Sequence, residues 1–409
     1  MSCSAVSAFA EVSFFLQEAI GFAAKWNSAG HASVHLSNVC TDNYTRLRVC
    51  QPGERGVVLS SFRNLGAEEN YEWVAMPLVP FLYGVEDEGK TPLYVNAEIL
   101  AALRERYRRE HLRELVPMAN AGYWQHLVGA TLERDIYAFT VTTTAEQDAA
   151  FIDAFNCAPN VNHFRQFTNN CTDFAAKVLN QYFPRSAHRD WLNDFGTITP
   201  KAVAHSFTKY AKKHPALQFR VTKYAQAHGT LARSQDARKL TQEALTSPKY
   251  FAPLAYWHPY LAAGFAGSYL LFGRFNAARE YHRHTADVAA FGTKQDWNHY
   301  RAQYETLLSQ ARARGLVADA SSVTRFFQEL AQQTEPGFDD EGALILKHKA
   351  TGQTLGLTRN NLSNHNRTLA CQLLLAKIQT ELSAAEKKRA SFHSFQQQWN
   401  WLVQLSAAD

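Results

Sequence analysis

Along the first half of the chain the apolar positions follow two rhythms, one of period two and one of period 3.6. Val12 to Leu16 and Ala32 to Val39 read as strands, and Tyr44 to Val49 (YTRLRV) alternates like a strand with one face buried. Between the last two, Cys40-Thr41-Asp42-Asn43 has turn composition, so those strands are expected to form a hairpin. Gly56 to Ser61 and Trp73 to Leu82 read as further extended pieces, the second interrupted by Pro77 and Pro80. A helix is expected from about Asn96 to Leu115 and a strand from Arg134 to Thr142. Thr143 and Glu146 then offer a capping box for a helix running to about Phe155.

The sharpest helical signal lies in Asn162 to Phe183. There Cys171, Phe174, Ala175, Val178, Leu179 and Tyr182 fall on one continuous face, with Asn169 or Asn170 as the N-cap. Beyond about residue 195 the pattern turns helical. Thr199-Pro200 opens a basic amphipathic helix to about Lys213, and later helices are expected near 236–246, 259–272, 276–290, 295–314, 321–333, 366–386 and 390–406. A small hairpin near 343–357 with Thr351-Gly352 at its tip interrupts them. The pattern therefore predicts an α+β protein. An antiparallel sheet domain with a central cysteine helix spans residues 1–195, and a mostly helical domain spans 196–409. Tyr250 to Gly273 contains no Asp, Glu, Lys or Arg and is long enough to span a bilayer. Its Pro253, His258, Pro259 and early Tyr/Trp cluster read instead as a turn leading into a fully buried core helix.

Composition narrows the classes. A chain of 409 residues with 46% hydrophobic and 19% charged residues is that of a globular protein of about two domains. The net charge of +5 is mild, and the run Arg104 to Arg109 lacks interleaved aromatics, so it reads as a solvated helix face and no nucleic-acid partner is expected. Six cysteines form no CxxC pair, which argues against a zinc ribbon and a thioredoxin-type redox site. A bridge between Cys40 and Cys50 across a hairpin suits an exported protein, although Met1 to Ala10 has no basic residue ahead of its short apolar run. His282-Arg283-His284 has a spacing that points the two rings apart on a helix, and no HExxH is present, so no metal is expected. Gly264 and Gly267 lack the lysine of a phosphate loop and read as close helix packing. No cofactor is called for.

The candidate chemistry centres on Cys171. A thiol at a helix N-terminus beside an imidazole has a depressed pKa and attacks as thiolate. His31 stands where a glycine-containing loop enters a strand (GHASVHL), and it shares one face of that strand with His35. Gln51, after the second strand of the expected hairpin, would orient the imidazole, with His35 or Asn43 as weaker choices. Asn169 and Asn170 would cap the helix or stabilise an oxyanion, and Asp173 would stabilise the positive end of its helix.

The motifs GHASVHL and NNCTDFAAKVL resemble the permuted branch of the NlpC/P60 papain-like superfamily, in which the histidine strand precedes the cysteine helix. That branch includes lecithin:retinol acyltransferase-like proteins and bacterial envelope hydrolases, and the chain also looks like the bacterial DUF4105 family. The resemblance covers about residues 10 to 185; the helical residues beyond 195 match no family. It implies a circularly permuted papain-like fold with Cys171 as nucleophile and His31 as general base. It further implies cleavage of an amide or ester of peptide, cell-wall or acyl-lipid type through an acyl-thioenzyme. Acyl transfer on the same scaffold and a non-catalytic binding role are the alternatives. A bacterial periplasmic or envelope setting, with peripheral membrane association, goes with the same resemblance.

Overall fold

The computed structural model describes residues 10–20, 29–62, 71–116, 124–161, 165, 169–191, 193–194, 196–284, 294–315 and 320–358, with short stretches between 371 and 403. The chain forms two compact units. The first comprises Met1–Leu82, Tyr107–Gln226 and Ala232–Ala277, and the second Tyr83–Arg106, Ala227–Leu231 and Ala278–Asp409.

The first unit is built on an antiparallel sheet of β1 (Ala10–Gln17), β2 (His31–Leu36), β5 (Val57–Ser60), β6 (Val74–Pro77), β7 (Ile136–Thr143) and β8 (Arg220–Tyr224). The order is β6-β5-β2-β1-β7-β8. A separate ribbon pairs β3 (Val39–Thr41) with β4 (Leu47–Val49). β2 is buried along its whole length and β1 along all but its first two residues. Such strands carry side chains into the interior on both faces. One face is apolar, with Phe14, Leu16, Val34, Leu36 and Phe139 at most 2% exposed. The other carries a buried polar ladder that satisfies itself across strands. Ser13 Oγ lies 2.8 Å from Thr140 Oγ1, and Gln17 Nε2 donates to Ser33 Oγ at 3.0 Å.

Helices α1 (Leu78–Tyr83), α3 (Ala130–Glu133), α4 (Ala145–Cys157), α5 (Cys171–Tyr182) and α6 (Pro200–Lys213) follow, while α2 (Ala97–His111) lies mostly in the second unit. α5 packs on β2, and α6 on β1 and β7. Phe151 of α4 stacks on Tyr182 of α5 at 5.0 Å, and the Tyr182 hydroxyl donates to Asp148 at 2.9 Å, which fixes the two helices side by side. The architecture is α+β with antiparallel sheets, and the sheet draws on residues either side of position 195, because β8 joins it as an edge strand paired with β7.

Several elements differ from the sequence reading for local reasons. The hairpin is β3–β4 rather than 32–39 with 44–49. Cys40 and Thr41 pair with Arg48 and Leu47, while Asn43 Oδ1 accepts the N–H groups of Thr45 and Arg46 and Tyr44 takes φ 65°, so the turn is 42–46. Leu78–Tyr83 is helical despite Pro80, since the first turn of a helix needs no N–H donor. The α4 capping box is formed by Thr144 and Gln147, one residue beyond the expected pair. Cys40 and Cys50, a possible pair across a hairpin, are bridged, and the bridge closes the β3–β4 ribbon.

The largest departure concerns residues 250–273. The helix expected at 259–272 is present as α9 (Pro259–Ser268) and a π-helical turn at Tyr269–Gly273, but it is not buried as expected, and the turn expected before it is itself a helix, α8 (Pro248–Trp257), after the short α7 (Leu240–Thr246). The break falls at His258, whose φ of −139° and ψ of 65° are not helical. Tyr256, Trp257 and Tyr260 are 79%, 71% and 91% exposed, and a Cβ placed on Gly264 or Gly267 would meet nothing within 4 Å, so close packing is not their role. Among the described residues no helix is long and apolar enough to cross a membrane.

In the second unit, helices Lys294–Ala313 and Ala320–Gln333 are formed close to the expected bounds. The expected hairpin is β10 (Leu344–His348) with β11 (Thr354–Gly356), and β9 (Thr334–Phe338) adds a third strand on which Arg106 lies 4.4 Å over the Phe338 ring. Tyr304, Leu375, Ile378, Trp399 and Leu402 belong to its core. Most of the helices expected at 366–386 and 390–406 lie outside the described residues.

The Cys40–Cys50 bridge spans a sequence separation of 10. Replacing both cysteines by Ser is expected to lower the unfolding free energy by about 3 kcal/mol, through the loop-closure entropy returned to the unfolded chain. Paired denaturant melts measure this, and an unchanged midpoint refutes it.

Candidate active site

Cys171 is the first residue of α5, and the sequence around it explains why the helix starts there. Asn170 is extended (φ −106°, ψ −177°) and its Oδ1 accepts the N–H groups of Thr172 and Asp173 at 2.8 and 3.1 Å. Asp173 Oδ2 reciprocates by accepting the Asn170 N–H at 3.1 Å, completing a capping box. Asp173 also pairs with Arg189 at 2.6 Å, so its carboxylate is structural as well as suited to the positive helix end. Asn169 exchanges two backbone bonds with Arg165, each 2.9 Å, immediately before the Asn170 cap.

His31 is the first residue of β2, in register opposite Gln17 of β1. Its position depends on Gly30, which has φ +75°. A Cβ there would stand 2.2 Å from the Gln17 carbonyl oxygen, so any other residue would push the strand entrance apart. The His31 ring stacks on Phe62 at 4.1 Å and 15°, and Phe62 in turn stacks on His126 at 6.0 Å. His31 Nε2 is buried and has no hydrogen-bond partner among the described residues. The same is true of Gln17 Oε1 on the facing residue.

Helix α5 packs on β2, and the Ala32 backbone, next to His31, favours the ionised form of the Cys171 sulfur. Cys171 is half-buried, as one of three free cysteines among the described residues, and its Sγ lies 3.8 Å from Thr172 Oγ1.

The electrostatics differ from the sequence expectation. Burial pushes the Cys171 thiol above its ordinary value; hydrogen bonds from Ala32 and Thr172 oppose this, and the Asp173 charge adds to it. Burial also holds His31 well below its ordinary value, reinforced by the positive charges of Arg134 and His126. The resting pair is therefore a neutral thiol and a neutral imidazole, rather than the thiolate that a helix N-terminus alone would favour. Desolvation is the largest cause in both groups.

Gln51 and His35 are not brought to His31. Cys50 N–H bonds the Asn38 carbonyl at 3.1 Å, so Gln51 follows the far end of β2, which at about 3.3 Å per residue is roughly 20 Å from His31. It is exposed, and its N–H serves Glu54. The cause is the hairpin: its first strand is β3, not β2, so the returning strand ends beside Asn38. His35 stacks on Phe15 at 5.7 Å, and its Nε2 lies 2.9 Å from the Arg55 carbonyl oxygen. Burial drives it down to about 4. It is a packing histidine four residues along the strand. Asn43 is occupied with its own turn.

Gln17, Phe62 and His126 carry no local signal of their own. Gln17 ends an apolar strand, and Phe62 and His126 lie outside the periodic segments. Only the β1–β2 register and the packing of the loops bring them to His31. Among the described residues one cluster has metal-ligand proximity, Cys40 with Cys50 and Glu54, and its two sulfurs are joined to each other.

No protein-family model matches the chain, and no curated protein matches it. Among solved structures the chain is similar to a type VI secretion system effector, TseH, at 13% identity over 50% of this chain and 90% of that chain. The TM-score is 0.25, a likeness below what a shared fold requires.

Two outcomes follow from these charge states. In a chain whose other free cysteines are replaced by Ser, alkylation of Cys171 by iodoacetamide is expected to be slower at pH 7 than that of an ordinary exposed thiol. Its rate should still be rising at pH 9, about tenfold per pH unit, whereas a plateau below pH 8 would overturn the neutral-thiol assignment. His35, with a folded value of about 4 against 6.5, leaves the unfolded chain binding the proton first. The stability it confers is complete above pH 6.5 and is lost as pH falls towards 4, by roughly 3 kcal/mol. Thermal melts of wild type and His35→Gln across this range read the effect, and identical slopes would refute it.

Proposed function

We propose that the first unit is a thiol hydrolase that cleaves an amide or ester through an acyl-thioenzyme, with Cys171 as nucleophile and His31 as general base. The observation that carries this reading is the packing of α5, which begins at Cys171, on β2, which begins at His31, whose buried Nε2 has no hydrogen-bond partner among the described residues. A neutral imidazole with an open Nε2 is the form that accepts a proton.

In this reading the thiol proton passes to His31 as sulfur bonds the substrate carbonyl carbon. The cap engages the N–H groups of Thr172 and Asp173, so the first-turn donor it leaves for the oxyanion is that of Cys171 itself. Collapse of the tetrahedral intermediate breaks the bond to the leaving amine or alcohol, which takes the proton from the imidazolium. Water activated by His31 then hydrolyses the thioester, releasing the acid and restoring the thiol. Asn170 and Asp173 act by fixing the helix start. The same reading includes the order of a permuted papain-like domain, histidine strand before cysteine helix, and substrates of peptide, cell-wall or acyl-lipid type.

A binding role without turnover is favoured by one observation, the upward displacement of the Cys171 thiol by burial. The two readings part on acylation. With a 4-nitrophenyl ester of a short fatty acid, wild type is expected to gain one acyl group on Cys171 by mass spectrometry and to release 4-nitrophenol. Cys171→Ala should do neither, and His31→Ala should acylate about 10²- to 10⁴-fold more slowly. Equal release by wild type and Cys171→Ala would sink the hydrolase.

A further inference from the structure

We infer that the α8–α9 segment is a docking surface for an anionic lipid bilayer, lying in the plane of the membrane rather than crossing it. This inference does not depend on the chemistry at Cys171.

Three observations converge. Of the ten large hydrophobic residues that are markedly exposed among those described, four fall within this segment, Tyr256, Trp257, Tyr260 and Leu261, and a fifth, Leu270, lies in the π-helical turn that follows it. Exposed apolar residues scattered singly are ordinary, but such a concentration marks an interaction surface. Its composition is specific as well. Tyrosine and tryptophan combine an apolar body with a polar tip and settle at the boundary between acyl chains and headgroups.

The second observation is length. α8 and α9 have 10 residues each and are separated at His258, so each is about 15 Å long, half of a hydrocarbon core of about 30 Å. The two helices contact each other as a pair. The segment reaches the interface and cannot traverse it.

Charge selects the lipid. From Ala244 to Ala277 there is no Asp or Glu, and the formal charges are Lys249 and Arg274, which bracket the uncharged run Tyr250 to Gly273. An apolar, aromatic middle with a cation at either end complements a bilayer whose headgroups are negative, each such charge adding about fivefold in affinity. A protein partner would be expected to meet acidic or mixed charge at the rim.

The experiment is flotation of the full chain with vesicles of phosphatidylcholine containing phosphatidylglycerol, and with pure phosphatidylcholine. Wild type should float with the anionic vesicles and several-fold less with the neutral ones. The double variant Trp257→Ser/Tyr260→Ser should bind at least tenfold more weakly, and Lys249→Gln/Arg274→Gln should lose the preference for anionic lipid. These side chains are on the surface, and unchanged far-UV circular dichroism certifies each fold. Wild type that stays in solution with both vesicle types overturns the inference, as does a Trp257/Tyr260 variant that floats undiminished. Self-association abolished by the aromatic substitutions, without vesicle binding, would assign the face to a second copy of the chain and equally overturn it.

Discussion

The antiparallel register of β1 with β2 is the constraint on which the candidate site depends. It sets Gln17 opposite His31 and brings the Gln17 carbonyl so close to Gly30 that no side chain fits there. It also places the strand that begins at His31 under α5, the helix that begins at Cys171. A slip of one residue would turn His31, Ser33 and His35 to the opposite face and put Ala32, Val34 and Leu36 in their place. Because β2 is buried throughout, that slip would exchange an apolar layer for a polar one inside the protein, and the register is correspondingly firm.

Burial that secures this register also sets the charge states. Three ionisable groups here, Cys171, His31 and His35, are all displaced toward their neutral forms, with desolvation the largest cause in each case. His35 is compensated by the Arg55 carbonyl and so belongs to the packing. Among the described residues, His31 Nε2 and the facing Gln17 Oε1 have no hydrogen-bond partner. An uncompensated buried polar atom costs about 1–3 kcal/mol, and its persistence on two facing residues is a reason to look for function at this position and not at the better satisfied His35.

The aromatic α8–α9 segment obeys the opposite logic. An uncharged stretch is normally taken into a core, yet Pro259 and the break at His258 divide it into two helices that leave their large rings outside. Sheet and segment thus distribute their surprises in opposite ways, polar atoms within and apolar rings without.

The sequence by itself determined the local framework of the first unit. The 3.6-residue face from Cys171 to Tyr182, the Asn cap and the Thr199-Pro200 start are short-range features whose physics is complete within one turn of helix. Short apolar runs likewise located β1, β2, β5 and β7, and the Cys40–Cys50 pairing was open to the sequence as a possibility because its partners are near in the chain. Tertiary structure alone decided what those elements meet. Gln51 looked close to His31 when the hairpin was drawn from the wrong first strand. β8 and β9 were too short and mixed in polarity to be read. The thiol that looked acidic from its helix position became less so once neighbours excluded water. Pairing register, desolvation and exposure all depend on residues far apart in the chain, and no local pattern encodes them.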